Sequence, residues 1–457
     1  MWKSILSVSL VITIIWVNYS WSADEDNVTA YDLSEPLSLE DCINIALQQS
    51  SNIKNSELDL ESAKLDIQDA FSNYLPQVDI NGEYRFTDMI DFGWEEQNYN
   101  ASLGASYIIW DHGRREAEIA QSRASERSVE SSYKETKQDL IFNITQAYYN
   151  VLEAERLIDV NEDLLEISKS NVKKTKAFEE TGRSIPADVA AARVQQANDE
   201  LSLINAQHNF ELARAQLASI MGLDPDSRLK IVDEEEISSP LLGDNLDNSI
   251  YMKTVDPTLK MSLENSILTA SENRPEIIST KSRITSLEWS LRIARMERWP
   301  VLTAECNFNV DLDDYLRDTD NFSNYRDWSA VARLTFPIFD NGINKRRERN
   351  AEIRIQKAQQ DFEELGRSIA LDVQQAYLDL VRARKSMEIA SEQVVDATNS
   401  MNVTQGRYER NMIIFLELLS AQARYAQALV NQVRAFYDYK IAEKALKKAM
   451  GILGVEG

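Results

Sequence analysis

Of 457 residues, 74 are Asp or Glu and 49 are Lys or Arg, a net charge of −25, so no basic surface is offered to nucleic acid. Two cysteines and two histidines exclude both a disulfide framework and a four-ligand zinc site built from nitrogen and sulfur. Thirteen glycines and nine prolines are few breakers for this length, and long helices are expected.

The chain begins with a targeting segment. Lys3 supplies a positive start, Ile5 to Val17 is apolar apart from small hydroxyl residues, and Ser20 and Ser22 stand at −3 and −1 of a cleavage site. The pattern predicts a signal peptide over 1–22 and an acidic mature start at Ala23-Asp24-Glu25-Asp26. Its apolar core is shorter than the roughly 20 residues of a spanning helix. No later apolar run reaches that length, and Cys42 follows acidic residues that do not suit a lipobox.

An internal repeat organises the remainder. A shift of 224 residues lays Leu39-Glu40 on Leu263-Glu264, Ile43 on Ile267, Ala46 on Ala270 and Pro76 on Pro300. Further on the shift is 229, laying Asp111-His112-Gly113 on Asp340-Asn341-Gly342, Gln146-Ala147-Tyr148 on Gln375-Ala376-Tyr377, and Met221-Gly222 on Met450-Gly451. The extra residues of the second copy fall between about 311 and 328. The chain thus reads as a tandem duplication, a first repeat over 23–222 and a second over 261–457, joined by an acidic segment at 223–260.

Each repeat predicts one helix, two strands, a very long helix, a tight turn and a shorter helix. Ser38 and Ser262 are candidate N-caps, with Asp41 and Asn265 three residues on, and both first helices must end before Pro76 and Pro300. Period-two alternation then predicts strands at about 77–86, 99–110, 301–311 and 327–338. Leu302, Ala304, Cys306, Phe308 and Val310 alternate with Thr303, Glu305, Asn307, Asn309 and Asp311, and Leu334 alternates with Arg333. Each strand has the length of a tilted membrane-spanning strand. Acidic connections (Asp88, Asp91, Glu95 and Glu96; Asp311, Asp313, Asp314, Asp318 and Asp320) suit external loops. Leu334 is then expected to face lipid, and Glu305 and Arg333 a water-filled lumen. Four strands cannot close a barrel and open edges do not survive in lipid, so several chains must contribute. A soluble sheet with one buried face is the alternative, but it needs a covering layer that the narrow helical stripes do not supply.

The long helices, about 113–180 and 342–409, carry heptads. Leu140, Ile144, Ala147, Val151, Ala154 and Ile158 form one stripe, and Ile369, Val373, Ala376, Leu380, Ala383, Met387 and Ala390 its repeat. The shorter helices are expected at about 186–221 and 414–450, the second with a stripe of Leu416, Leu419, Ala423, Ala426, Val430, Val433 and Tyr437. At roughly 1.5 Å per residue each long helix extends about 100 Å, far beyond a bilayer. His208 aligns with Tyr437 and reads as packing, while Asp111-His112 reads as a capped turn. No nucleophile–base set and no phosphate loop emerges, so neither an enzyme nor a cofactor is expected.

These motifs resemble the TolC family of outer-membrane factors over nearly the whole mature chain. The marks are LSLEDCINIALQQS, NYLPQVDINGEY and DHGRRE in the first copy, and SLENSILTASENRPEI, ERWPVLTAECNF and FPIFDNGINK in the second. The resemblance implies a homotrimer with a 12-stranded β-barrel in the Gram-negative outer membrane, four strands per chain, continued by a long α-helical coiled-coil tunnel in the periplasm. It further implies a periplasmic adaptor, an inner-membrane transporter of RND, ABC or MFS type, and export of drugs or proteins. In the family the turns between long and shorter helices form the tunnel entrance. Here these are Phe178–Ser184 and Tyr408–Ile413. Tyr408 matches the family's aromatic, Arg410 follows it, Glu417 stands at the acidic gate position, and Asp188 is the first-copy counterpart of Glu417. The second turn departs from the pattern with Asn411 for Gly and Ile413 where an Arg can occur, and Phe178 is one position out of step with Tyr408. Three copies of Glu417 around one axis are expected to bind multivalent cations, whereas Glu409 is expected to matter little. The competing function is a non-conducting, envelope-spanning structural or adhesive trimer, which single-channel conductance separates from a duct.

Overall fold

A computed structural model describes residues 36–89, 94–232, 262–311 and 326–454. The predicted signal peptide 1–22, most of the segment 223–260 and the connections at 90–93 and 312–325 lie outside these described residues.

The element order is α1 (Leu39–Gln49), α2 (Ser51–Ser72), β1 (Gln77–Met89), β2 (Trp94–Trp110), α3 (Arg114–Glu180) and α4 (Pro186–Ile220), then α5 (Leu263–Asn273), α6 (Pro275–Met296), β3 (Val301–Asp311), β4 (Arg326–Thr335), α7 (Ile343–Glu409) and α8 (Phe415–Ala449). Ser38 caps α1 through a reciprocal box with Asp41, and Ser262 caps α5 by accepting from the Asn265 N–H.

The single first helix expected in each copy is broken in two. Arg274 takes an extended conformation (φ −64°, ψ 125°) because Pro275 follows it. Ser50 does the same (φ −62°, ψ 122°) without a proline. A packing requirement is common to both. The Met-Gly turn that ends each shorter helix lies against the break: a Cβ on Gly222 would come within 3.1 Å of the Gln49 carbonyl, and one on Gly451 within 2.9 Å of the Arg274 backbone. Both glycines also have positive φ, so the turn demands glycine twice over. Around these turns sits the main core, where Cys42, Ile45, Ile144, Val151, Leu217, Met221, Val373, Tyr437 and Tyr439 are buried together.

The four strands form one antiparallel sheet in the order β1-β2-β3-β4, so β2 and β3 pair across the duplication and the outer edges of β1 and β4 are open. β4 stops at Thr335, short of the expected 338, since Pro337 has no N–H for the ladder. Asp88, Glu95, Glu96 and Asp311 belong to the paired strands rather than to a loop.

Each long helix has 67 residues, about 100 Å at roughly 1.5 Å per residue. The α3 stripe from Leu140 to Ala154 is buried, and so are Ile369, Val373, Leu380, Ala383, Met387 and Ala390 of α7. The α8 stripe is corrected by one position as far as Phe436, while its last member, Tyr437, is buried as expected. Leu416 is exposed, and the buried seam runs Phe415, Leu418, Gln422, Leu429, Gln432 and Phe436. Two seam positions are glutamines, which conceals the register from a count of apolar residues.

Candidate functional site

The sheet has one polar and one apolar face. Pairing places Glu83 beside Asn100, Asn81 beside Ser102 and Asp79 beside Gly104, and continues those rows onto Asp311, Asn309 and Asn307. Glu305 and Arg333 share this polar face, with their charged groups 3.5 Å apart. Opposite them lie Val78, Ile80, Leu103, Phe308, Trp328 and Leu334. Among the described residues no layer covers that face: Ile80 is 80% exposed and Trp328 75%. A bare apolar face of this size marks an interaction surface, and its alternation matches a barrel wall between lipid and water.

At the lower edge of the sheet each copy turns sharply into its long helix. His112 and Gly113 both have positive φ, as do Asn341 and Gly342. The preceding aspartate compensates for the strained turn. Asp111 accepts from the N–H groups of Gly113 (3.2 Å) and Arg115 (3.1 Å), and Asp340 from those of Gly342 (2.9 Å) and Asn344 (2.8 Å). These backbone bonds, that of Asn344 above all, hold the Asp340 carboxyl below its ordinary range. Arg115 and Asp111 form a buried ion pair at 2.9 Å, with Arg115 also stacked over Tyr74. His112 stacks on Trp299 at 4.3 Å and meets Trp110 edge-on, an aromatic cluster of the kind found at membrane interfaces.

At the far end of the rod the two helix–helix turns meet. Tyr408 is buried between Phe178 (5.7 Å) and Phe415 (5.6 Å), so Phe178 reaches it despite its one-residue offset. Asn411 takes the left-handed conformation (φ 64°) that its counterpart Gly182 takes (φ 71°), and asparagine tolerates it. Asp188 caps α4, accepting from the Ser184 hydroxyl at 2.9 Å and the Ile185 N–H at 3.5 Å. Glu417 is exposed in the first turn of α8 and forms no ion pair among the described residues. Asp188, Tyr408 and Glu417 line one cleft of about 650 Å³ between the turns; Arg410, exposed, does not.

Sequence reasoning missed the group that joins the two turns, and Glu409 belongs to it. Lys174 of α3 forms a 2.7 Å ion pair with Glu409 of α7, and Arg183, stacked over Phe178, donates to the Glu409 carbonyl at 3.0 Å. The Lys174 ammonium, then the Gln405 amide, hold the Glu409 carboxyl below its ordinary range. These partners lie more than 200 residues apart in sequence, and on paper each is one more charge on a solvated helix face.

Comparison with known proteins supplies the decisive observation. The family described as outer membrane efflux protein matches residues 42–223 and 267–452, one segment for each repeat. The chain belongs to this family. Its relatives include Protein CyaE of Bordetella pertussis, 22% identical over 93% of this chain and 86% of the relative, and Outer membrane protein TolC of Vibrio cholerae, 23% identical over 84% and 83%. The fold is shared with the transmembrane channel CusC (TM-score 0.74, 17% identity, 90% of this chain and 92% of that one) and the Campylobacter jejuni CmeC outer membrane channel (TM-score 0.72, 18% identity, 90% and 85%). In this outer membrane efflux protein the sheet is therefore the chain's share of the outer-membrane barrel, and the helices are its share of the periplasmic tunnel.

Proposed function

We propose that three copies of the chain form the passive duct of an export machine, opened at its periplasmic tip and coupled there to an adaptor protein and an inner-membrane transporter of RND, ABC or MFS type. The carrying observation is the four-stranded sheet, bare on its apolar face and open at both edges, that runs directly into helices long enough to cross the periplasm. Drugs or secreted proteins are the cargo this reading assigns.

Internal duplication supports closure into a ring. Within one chain α8 packs on α3: Lys448 covers Phe142 at 4.8 Å, Tyr437 lies 6.3 Å from Tyr149, and Leu429 packs with Val160. The α7 counterparts of Phe142, Tyr149, Leu152 and Val160 are Leu371, Leu378, Val381 and Ile389, and all four are exposed. The matching face of α4, with Val194, Leu201, Ile204 and Leu212, is exposed as well, and α4 has no substantial packing on α7. One chain's α4 on the next chain's α7 repeats the internal contact and covers both of these stripes.

At the tip, Tyr408 and its aromatic neighbours form the packed hinge, Asp188 fixes the α4 turn, and Glu417 and Arg410 provide the exposed charges of the entrance. Lys174, Arg183 and Glu409 are the latch between the two helical hairpins. Glu305 and Arg333 line the barrel lumen. Release of an entrapped small dye from proteoliposomes tests the reading: purified trimer should release it, faster for Glu409→Ala, whereas an inserted trimer that retains the dye in both forms would leave only the structural role.

A further inference from the structure

The junction between sheet and helices differs in charge between the two copies. Around the end of α6 and the start of α7, residues 292–298 and 340–352 hold seven Arg or Lys against four Asp or Glu. The matching residues of the first copy, 68–74 and 111–123, hold three against four. In a chain of net charge −25, the second junction is a local basic patch. Helix stability does not account for it. The first turn of α7 has no acidic residue, and Lys345, Arg346 and Arg347 set positive charge against the positive end of the helix dipole.

Nearby carboxylates leave the patch positive. Arg295 (2.9 Å) and Arg298 (3.0 Å) share the one carboxylate of Glu348, and Lys345, exposed, forms no ion pair among the described residues. By the duplication Arg298 and Lys345 take the places of Tyr74 and Glu116, whose side chains hydrogen-bond each other, so the two cations are neighbours.

Beside the patch, at the foot of the sheet, the apolar surface is barest. Ile338 and Phe339 are 88% and 84% exposed, and Trp299, next to Arg298, is half exposed. A neighbouring chain does not account for this. The first-copy counterparts, Ile109 and Trp110, lie on β2, which has a strand on either side, and they are still 46% and 43% exposed. These positions therefore face lipid even where the sheet is complete.

Apolar side chains bordered by surplus cations match one lipid molecule end to end: acyl chains on the first, phosphate on the second. The helices fix the leaflet as the periplasmic one. A zwitterionic headgroup carries its own ammonium beside its phosphate and gains little from further cations, so the surplus charge selects an anionic headgroup. We propose that the second-copy junction binds an anionic phospholipid of the periplasmic leaflet, one per chain, its phosphate between Lys345 and Arg298 and its acyl chains along Ile338 and Phe339. The first-copy junction, where Glu116 stands in place of Lys345, does not. This inference needs the barrel in its membrane, and neither conduction nor the latch.

Native mass spectrometry of the detergent-purified trimer tests the assignment, with an equimolar mixture of dioleoylphosphatidylglycerol and dioleoylphosphatidylethanolamine as the probe. Phosphatidylglycerol should be retained preferentially, up to one per chain. A cation near a lipid surface is worth about fivefold in affinity and a pair about 30-fold. Lys345→Gln, at an exposed site without an ion pair, should thus weaken retention about fivefold, and Lys345→Gln with Arg298→Gln about 30-fold. Arg123→Gln with Arg127→Gln, which removes two exposed cations of α3 below the first junction, should leave retention unchanged. Equal retention of the two lipids, undiminished preference in the Lys345→Gln, Arg298→Gln chain, or an equal loss in the α3 control would overturn the proposal. So would displacement of the lipid by an equal concentration of inorganic phosphate. A trimer that passes current but shows no lipid preference would remove this inference alone and leave the duct reading standing.

Discussion

Replacing Leu103 with arginine tests the facing of the barrel wall at its most demanding point. Leu103 stands near the middle of β2, on the apolar face between Ile80 and Phe308, and is half exposed. Its neighbour Ser102 lies on the polar face between Asn81 and Asn309. A lipid-facing arginine near the bilayer midplane costs about 2–4 kcal/mol, which at 1.4 kcal/mol per decade is about 30- to 700-fold per chain. Three copies in one ring bring the total to about 6–12 kcal/mol. The same arginine at position 102 projects into water and costs almost nothing. Leu334 is a weaker probe than its exposure suggests, for it is one residue from the end of β4, where the penalty falls to about 0–1 kcal/mol. The assay is refolding into lipid vesicles, read as the fraction of trimer that resists dissociation in detergent. Leu103→Arg should lose most of that fraction and Ser102→Arg should keep it. Equal yields, or loss in Ser102→Arg alone, would refute the two-faced wall.

Other expectations concern the junction, the latch and the seam between chains. Asp111→Ala strands a buried Arg115 and should cost about 3–5 kcal/mol in denaturant unfolding, whereas Asp340→Ala, which loses part-buried backbone caps but strands no buried charge, should cost about 0.5–2 kcal/mol. Because the Glu409 carboxyl titrates lower in the folded chain than in the unfolded one, its contribution is complete above the unfolded pKa of about 4.3. It is lost as pH falls through the lower folded value. Being a half-exposed pair, it is worth about 0.2–1 kcal/mol; open probability in bilayers should therefore be flat from pH 5 to 8, rise below about pH 4, and be raised at every pH by Glu409→Ala. His208→Cys combined with Leu378→Cys, the counterparts of Tyr437 and Tyr149, should give disulfide-linked dimers and trimers on oxidation, and no link within a single chain.

Much of this architecture is legible in the residues because the chain is built twice. Period-two runs such as Leu302–Val310 and the heptads of α3 and α7 obey local rules, and their recurrence in the second copy separates signal from chance. What escaped was decided by tertiary contact. The break at Ser50 has no proline to announce it and exists so that the Gly222 turn can approach. The α8 seam was displaced by one residue because Gln422 and Gln432 occupy positions where apolar side chains are counted. At the tip, Asp188, Tyr408 and Glu417 came from the family resemblance rather than from the residues themselves, and the contacts of Lys174 and Arg183 with Glu409, on which the proposed latch rests, exist only when the two hairpins are brought side by side.

The most direct measurement is the unitary current of the purified trimer in planar lipid bilayers. A duct whose barrel is closed by three sheets and whose tip is held by the latch predicts discrete, uniform conductance steps, small in the wild type and larger in Glu409→Ala. Trimers that insert stably and pass no current in either form would contradict it.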